Sequence, residues 1–346
     1  DNSGNERGAV HIMFMNTNGT VARTVEINDS TPNGPSLTNK DHFGKSVANI
    51  GDLDGDGVND LAVGAYSDDA GGTNRGAVHI IFMNTNGTVA RTVEINSSTT
   101  NGPTLDNKDD FGFSVANIGD LDGDGVNDLA VGAYLDDMDE NGNDNGGSTT
   151  INRGAVHIIF MNTNGTVART VEINDSTTNG PELADEDHFG KSVANIGDLD
   201  GDGVNDLAVG AHLDDAGGNA QGTVHIIFMN TDGSVKSTVE INSSTTNGPT
   251  LTNIDRFGFS VANIGDLDGD GVNDLAVGAP LDDMDENGDA AGATDQGAVH
   301  IIFMNTDGSV KSTVEINDST TNGPELDNRD YFGGSVANIG DLDGNG

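Results

Sequence analysis

Hydrophobic and polar residues alternate along this chain in strand-length runs that break at clusters of Gly, Asn, Asp, Ser and Thr. No segment keeps the i, i+3, i+4 spacing of a helix face, so the pattern predicts strands throughout. Gly76–Met83 is the most apolar run and ends in Asn84-Thr85-Asn86-Gly87. Val89–Ile95 follows and alternates apolar with polar, as an outer strand does when one face meets water. Before them, Ser46–Ile50 leads into an acidic turn and Asp60–Tyr66 leaves it. One unit therefore predicts four strands. An Asn-Gly or Asp-Gly pair between two such runs signals a tight hairpin. Type I′ turns with positive φ are expected at Asn18-Gly19, Asn86-Gly87, Asn164-Gly165, Asp232-Gly233 and Asp307-Gly308.

The unit recurs. Ser-Val-Ala-Asn-Ile-Gly-Asp-Leu-Asp-Gly is found five times, and four copies continue as Asp-Gly-Val-Asn-Asp-Leu-Ala-Val-Gly-Ala. Their first loop aspartates, Asp52, Asp120, Asp198, Asp266 and Asp341, lie 68, 78, 68 and 75 residues apart. Long units carry inserts at Asp136–Arg153 and Asp282–Gln296 where short ones have Asp68–Arg75 and Asp214–Gln221, which points to duplication of a two-unit block. Four antiparallel strands per repeat predict an all-β fold, a β-propeller of four-stranded blades. A linear β-solenoid is the rival, but its repeats are usually about 20–30 residues or shorter.

About five blades' worth of strands is present. Within a single array spanning 1–346, blades are expected at 43–110, 111–188, 189–256 and 257–331. Residues 1–42 would supply the last two strands of a blade plus a linker, and 332–346 the start of a further one. Joined together, the two ends lack only the second strand of a fifth blade. Either a ring closes by sharing that blade, or the chain is a window on a longer array. The window is the expectation, since the middle of an acidic loop is a poor natural terminus.

That loop carries the chemistry. Asp52, Asp54, Asp56 and Asp60 form a D-x-D-x-D-G-x-x-D array, with hard oxygen donors at alternate positions around Gly55 and Gly57. Ca²⁺ takes six to eight oxygens at roughly 2.3–2.6 Å in tolerant geometry, which this spacing suits. The Val58 carbonyl, at the seventh position, is the expected backbone ligand. The same roles fall to Asp120, Asp122, Asp124, Val126 and Asp128; to Asp198, Asp200, Asp202, Val204 and Asp206; and to Asp266, Asp268, Asp270, Val272 and Asp274. One Ca²⁺ per complete loop, four in all, is expected. An Asp-Gly turn with merely solvated charges is the plainer alternative. It leaves four carboxylates repelling one another in one turn. The loop at Asp341, Asp343 and Asn345 is at best half a site.

Phe43-Gly44, the acidic loop and Gly64-Ala65, with a literal Gly278-Ala279-Pro280 in the fourth unit, resemble the FG-GAP repeat of integrin α-subunit propellers and related surface proteins. The resemblance covers nearly the whole chain. It implies that the acidic loop joins the first two strands of a blade and binds Ca²⁺. The EF-hand glutamate at position twelve is missing, Val63 standing there, so the resemblance gives the bidentate role to the aspartate at position nine. It leaves blade number open, the integrin type having seven.

Charge narrows the class. Fourteen Lys and Arg against 57 Asp and Glu give a net charge of −43. Phosphate binding needs clustered cations, so the charge disfavours nucleic acid and anionic membrane surfaces as partners. Self-repulsion strains the compact state, and bound cations in the loops would relieve part of it. Cysteine is absent, which rules out a disulfide framework. No apolar run reaches the ~18–20 residues of a membrane span. Calcium outside the cell loads moderate-affinity sites, so an extracellular or cell-surface setting is expected.

Other recurrent residues have plain readings. His11, His79, His157, His225 and His300 lie in the apolar third strand and are read as structural rather than as zinc ligands. Two phenylalanine sets, Phe43, Phe111, Phe189, Phe257, Phe332 and Phe14, Phe82, Phe160, Phe228, Phe303, are core anchors. Alternating oxygens at Asp137–Gly142 and Asp283–Gly288 suit either a solvated loop or a second, weaker ion. Sequons at Asn18, Asn28, Asn86, Asn96, Asn164, Asn174, Asn242 and Asn317 depend on a host that glycosylates. No catalytic constellation emerges, because nearly every polar residue is repeated. The expectation is a non-enzymatic adhesion or structural module whose partner is a protein or glycan at a loop rim, or copies of itself. The alternative is a propeller of a secreted carbohydrate-active or other hydrolytic enzyme.

Overall fold

A computed structural model describes residues 5–137, 151–282 and 295–340. Among these residues there are eighteen strands and no helix, so none long and apolar enough to cross a membrane. In the first complete blade the strands are β3 (Val47–Gly51), β4 (Asp60–Ala65), β5 (Ala77–Met83) and β6 (Val89–Ile95). They form an antiparallel meander in the order β3-β4-β5-β6. The same order repeats in β7 (Ser114–Gly119) to β10 (Val167–Ile173), β11 (Phe189–Gly197) to β14 (Val235–Ile241), and β15 (Ser260–Gly265) to β18 (Val310–Ile316). A fifth sheet holds only β1 (Val10–Met15) and β2 (Val21–Ile27). These are the expected propeller blades. Residues 335–339 repeat a first-strand sequence but join no ladder.

Two compact units are present. Residues 1–137 with 156–172 hold the sheets β1–β2, β3–β6 and β7–β10; residues 138–155 with 173–346 hold β11–β14 and β15–β18. The core of the first gathers Ile50, Ile80, Phe82, Phe111 and Leu129; that of the second, Ile196, Ile226, Phe257, Leu275 and Ile302. β5 and its counterparts β9 and β13 are buried along their whole length, which is why their sequences run apolar on both faces. The outer β6 is buried only at its ends, in keeping with its polar alternation.

The Phe-Gly segment entering a blade bridges to the glycine before the third strand of the preceding one, as Gly8 to Phe43, Gly76 to Phe111 and Gly297 to Phe332. The segments at Phe43, Phe111 and Phe332 are thus each locked against the preceding blade of the same unit.

The hairpins differ from the expected type I′. Gly19 has φ +80°, but Asn18 is not in the positive-φ region, nor are Asn86, Asn164, Asp232 and Asp307. The chain turns first, with Gly19 N–H donating to Asn16 O at 3.0 Å, and the glycine alone takes the left-handed conformation. The Asn18 carboxamide favours this form by accepting from Thr20 N–H and Oγ1–H, at 3.1 and 2.7 Å. A bulge follows, between the pairs Phe14↔Arg23 and Met15↔Val21.

Candidate metal centre

Two devices place each acidic loop. A bulge at the end of β3 separates the pairs Asn49↔Leu61 and Gly51↔Asp60, so that Ile50 turns into the core with 1% exposed. The strand therefore stops and Asp52 begins the turn. Inside the turn, Asp52 Oδ1 accepts from Asp56 N–H at 2.9 Å and Oδ2 from Gly57 N–H at 2.8 Å. Gly55 and Gly57 have φ of +78° and +89°, values that a residue with a Cβ adopts only under strain. The pattern repeats at Asp120, which accepts from Asp124 and Gly125, and at Asp198 and Asp266.

The ninth aspartate is the anchor. Asp60 is 1% exposed; Oδ2 accepts from Leu53 N–H at 3.0 Å and Oδ1 from Met83 N–H at 2.9 Å. One carboxylate thereby ties the loop and the start of β4 to the end of β5. Asp128, Asp206 and Asp274 repeat both bonds at 2.9 to 3.0 Å. Their sequence spacing predicts a ligand but not this pair of backbone bonds, because one partner amide lies 23 residues or more away.

One carboxylate oxygen each from Asp52, Asp54 and Asp60 lies within 4.8 Å of the others. The triples Asp120, Asp122, Asp128; Asp198, Asp200, Asp206; and Asp266, Asp268, Asp274 do the same. Oxygens on a Ca²⁺ shell of radius about 2.3–2.6 Å can stand at most about 5 Å apart, so each triple fits one ion. A positively charged side chain also finds these loops: Lys236 Nζ stands 2.5 Å from Asp200 Oδ2 and 2.6 Å from Asp202 Oδ2. Asp56, Asp124, Asp202 and Asp270 lie outside the triples, and each Oδ1 accepts the N–H two residues on, from Val58, Val126, Val204 and Val272. Residues 341–346, which begin the fifth acidic loop sequence, and most of the two long inserts, with the second-ion alternative placed there, lie outside the described residues.

Burial pushes the anchoring carboxyls up. Asp128 and Asp206 rise to about 6, because desolvation outweighs their two backbone hydrogen bonds and the loop's other carboxylates add repulsion. Asp60 and Asp274 rise for the same first reason.

A second buried acidic cluster recurs beneath each Phe-Gly segment, and sequence reasoning missed it. His79 is fully buried, set edge-on to Phe43 at 5.4 Å, with Nε2 at 3.8 Å from Asp68 Oδ2. Asp41, 1% exposed, caps the linker by accepting from Thr38 N–H and Oγ1–H at 2.5 and 2.8 Å, and it feels the Asp68 charge. Asp109 with Asp136 and His157 repeats the arrangement, as does Asp187 with Asp214 and His225. Four of the five recurrent histidines, His79, His157, His225 and His300, are fully buried, and an acid accompanies each of these four, whereas His11 is exposed. The signal was the repeated Asp before Phe-Gly and the repeated Asp-Asp after Gly-Ala. Desolvation and then the neighbouring Asp214 charge raise Asp187 to about 7; burial and Asp136 push Asp109 up as well.

These shifts give a sign to the pH dependence. A carboxyl whose folded pKa exceeds its unfolded one adds stability below about pH 4 and loses it as pH rises through the folded value. Calcium-free protein is therefore expected to lose urea stability from about pH 4 to 7, most steeply near 5, between the unfolded carboxyl range and the folded values. Asp128 alone contributes on the order of 3 kcal/mol. Saturating calcium should remove the share of the loop anchors and leave that of Asp187. A calcium-free stability that is flat or rising over this window would contradict the assignment.

The FG-GAP repeat family matches residues 43–81, 111–151, 189–227 and 257–302, each spanning an acidic loop. Integrin alpha-4 of Xenopus laevis is 33% identical over 173 residues, 50% of this chain and 14% of that protein. Integrin alpha pat-2 of Caenorhabditis elegans is 30% identical over 257 residues, 72% of this chain and 19% of that protein. Integrin alpha-5 of Xenopus laevis is 32% identical over 247 residues, 69% and 20% respectively. The chain spans a fifth or less of the length of these relatives.

Proposed function

This chain is an FG-GAP repeat protein of the β-propeller type similar to integrin α subunits, and from that premise we propose that it is a calcium-binding, extracellular adhesion or structural module of a surface protein or filament. The observation that carries the reading is the fourfold recurrence of three convergent carboxylates in the FG-GAP frame. A bound Ca²⁺ supplies charge neutralisation and a cross-link of fixed geometry. Asp52, Asp54, Asp56, the Val58 carbonyl and a bidentate Asp60 would hold it, with the corresponding residues of the other three loops.

What the protein does around the ion follows from its own bonds. Asp60 joins loop, β4 and β5, so fixing its carboxylate fixes the meander at one end. The loops connecting second to third strands lie at the opposite strand ends, and partner contact is assigned to that rim. A protein or glycan ligand, or copies of the chain itself, fits the role; nucleic acid and bilayer insertion do not fit a net charge of −43. The module is read as non-catalytic, since its polar clusters recur blade by blade.

Calorimetric calcium titration tests this. Four ions per chain are expected, with dissociation constants on the order of 10⁻⁴–10⁻³ M as for extracellular modules. Asp54→Ala should bind one ion fewer. No binding at 10 mM calcium, or four ions still bound by that variant, would overturn the reading.

A further inference from the structure

We propose that the four loops form two classes of calcium site, separated by a lysine that engages the loop carboxylates in only two of them. The inference rests on the calcium reading above and adds an order of loading to it. In the loop 198–206, Lys236 Nζ contacts Asp200 and Asp202 at 2.5 and 2.6 Å. In the loop 266–274, Lys311 Nζ contacts Asp268 and Asp270 at the same two distances. The loops 52–60 and 120–128 are met instead by arginines at the edge of reach. Arg91 Nη2 is 3.4 Å from Asp54, and Arg169 Nη2 is 3.5 Å from Asp122.

The difference originates in one strand position. β6 and β10 read Val-Ala-Arg-Thr-Val-Glu-Ile, whereas β14 and β18 read Val-Lys-Ser-Thr-Val-Glu-Ile. In β6 the pairs Phe82↔Arg91 and Met83↔Val89 leave Ala90 as the extra residue of a bulge. In β14 the pairs Phe228↔Ser237 and Met229↔Val235 leave Lys236 there. The cation has moved from the paired position to the bulge. At the paired position Arg91 is committed elsewhere: its guanidinium lies 3.2 Å over the Phe82 ring and Nη1 donates to Asn164 O at 2.8 Å. Arg169 stacks on Phe160 at the same 3.2 Å. Among the described residues no such ring lies beneath the bulge lysines, and a flexible stem carries a compact ammonium into the loop.

Calcium affinity in oxygen sites follows the charge count of the ligands. An ammonium on two carboxylates removes one negative charge and occupies lone pairs that the ion needs. The lysine loops should therefore bind calcium roughly threefold to tenfold more weakly than the arginine loops. Without calcium the order reverses, since the lysines neutralise the empty loops of the second unit. As calcium falls, 198–206 and 266–274 empty first and tolerate emptiness better.

The test is calorimetric calcium titration of the whole chain, with native mass spectrometry counting ions. Two sites of higher and two of lower affinity are expected. Lys236→Met with Lys311→Met keeps the stems and removes the charges, and should merge the four into one class by tightening the weaker pair. Arg91→Met with Arg169→Met should leave two classes. Four equivalent sites in the parent, or a weaker pair unchanged by the lysine substitutions, would overturn the inference while the calcium reading stands. Lys236→Gln with Lys311→Gln, checked for strand content by circular dichroism, gives the same readout if the methionine variant misfolds. Absence of binding at every loop would remove the premise, and with it the inference.

Discussion

Removing calcium with excess chelator is expected to lower the melting temperature by on the order of 10–20 °C, read by differential scanning calorimetry. Each loop draws three carboxylates to within 4.8 Å of one another, beside a fourth two residues further on. Such a group is strained without a cation among it, since two unit charges 4 Å apart repel by about 4 kcal/mol at an effective dielectric of 20. An ion present at a hundred times its dissociation constant stabilises the folded chain by about 2.7 kcal/mol per site. Each compact unit holds two loops, giving about 5 kcal/mol per unit. At about 2–4 °C per kcal/mol for a unit of this size, the shift follows. Magnesium should restore less of it, because a smaller ion demanding octahedral geometry at about 2.0–2.1 Å fits a loop of this span poorly. A melt unchanged by chelator would defeat the structural role of the metal. High salt is the necessary control: screening shortens the reach of the repulsion and should shrink the shift without abolishing it.

Much of this architecture could be read from the chain because each repeat states it again. The four strand runs of the first blade were placed to within a residue or two, from a period of two and from Gly, Asn and Asp punctuation. The acidic turns were equally plain, since the spacing of their aspartates and glycines is local. What escaped was non-local. The Asp60 bond to Met83 N–H and the meeting of Asp41, Asp68 and His79 depend on how strands pair, and no short window shows that. The hairpin type was misjudged for a local reason. Asn18 gains more by accepting from Thr20 than by entering the left-handed region, so only Gly19 goes there. Lys236 and Arg91 look like a trivial exchange in sequence; the bulge makes it a change of partner.

Gly64→Ala is expected to destabilise the first unit by about 3 kcal/mol or more, measured by urea unfolding. Gly64 belongs to the Gly-Ala that closes β4, and it faces Gly112 of the Phe-Gly that opens the next blade. A Cβ built on it would stand 1.8 Å from Gly112 O, 2.4 Å from Ser46 Oγ and 2.9 Å from Gly112 C. The first and last are backbone atoms, and backbone cannot swing aside as a side chain does. Relief requires the two blades to part by more than an ångström, which would break the bond from Ser46 Oγ to Gly112 O at 2.8 Å. It would also loosen the bridge that seats Phe111, a fully buried anchor. Gly64 has no positive φ, so the penalty comes from close approach and not from backbone conformation. Gly55→Ala is the matched control. Its Cβ would meet nothing within 4 Å, but φ is +78°, so a loss of only about 1–2 kcal/mol is expected. Gly210→Ala should repeat the Gly64 result in the second unit, its Cβ meeting Gly258 O at 1.9 Å. If Gly64→Ala and Gly55→Ala unfold at the same urea concentration, the Gly-Ala and Phe-Gly glycines are not the contact that holds successive blades together.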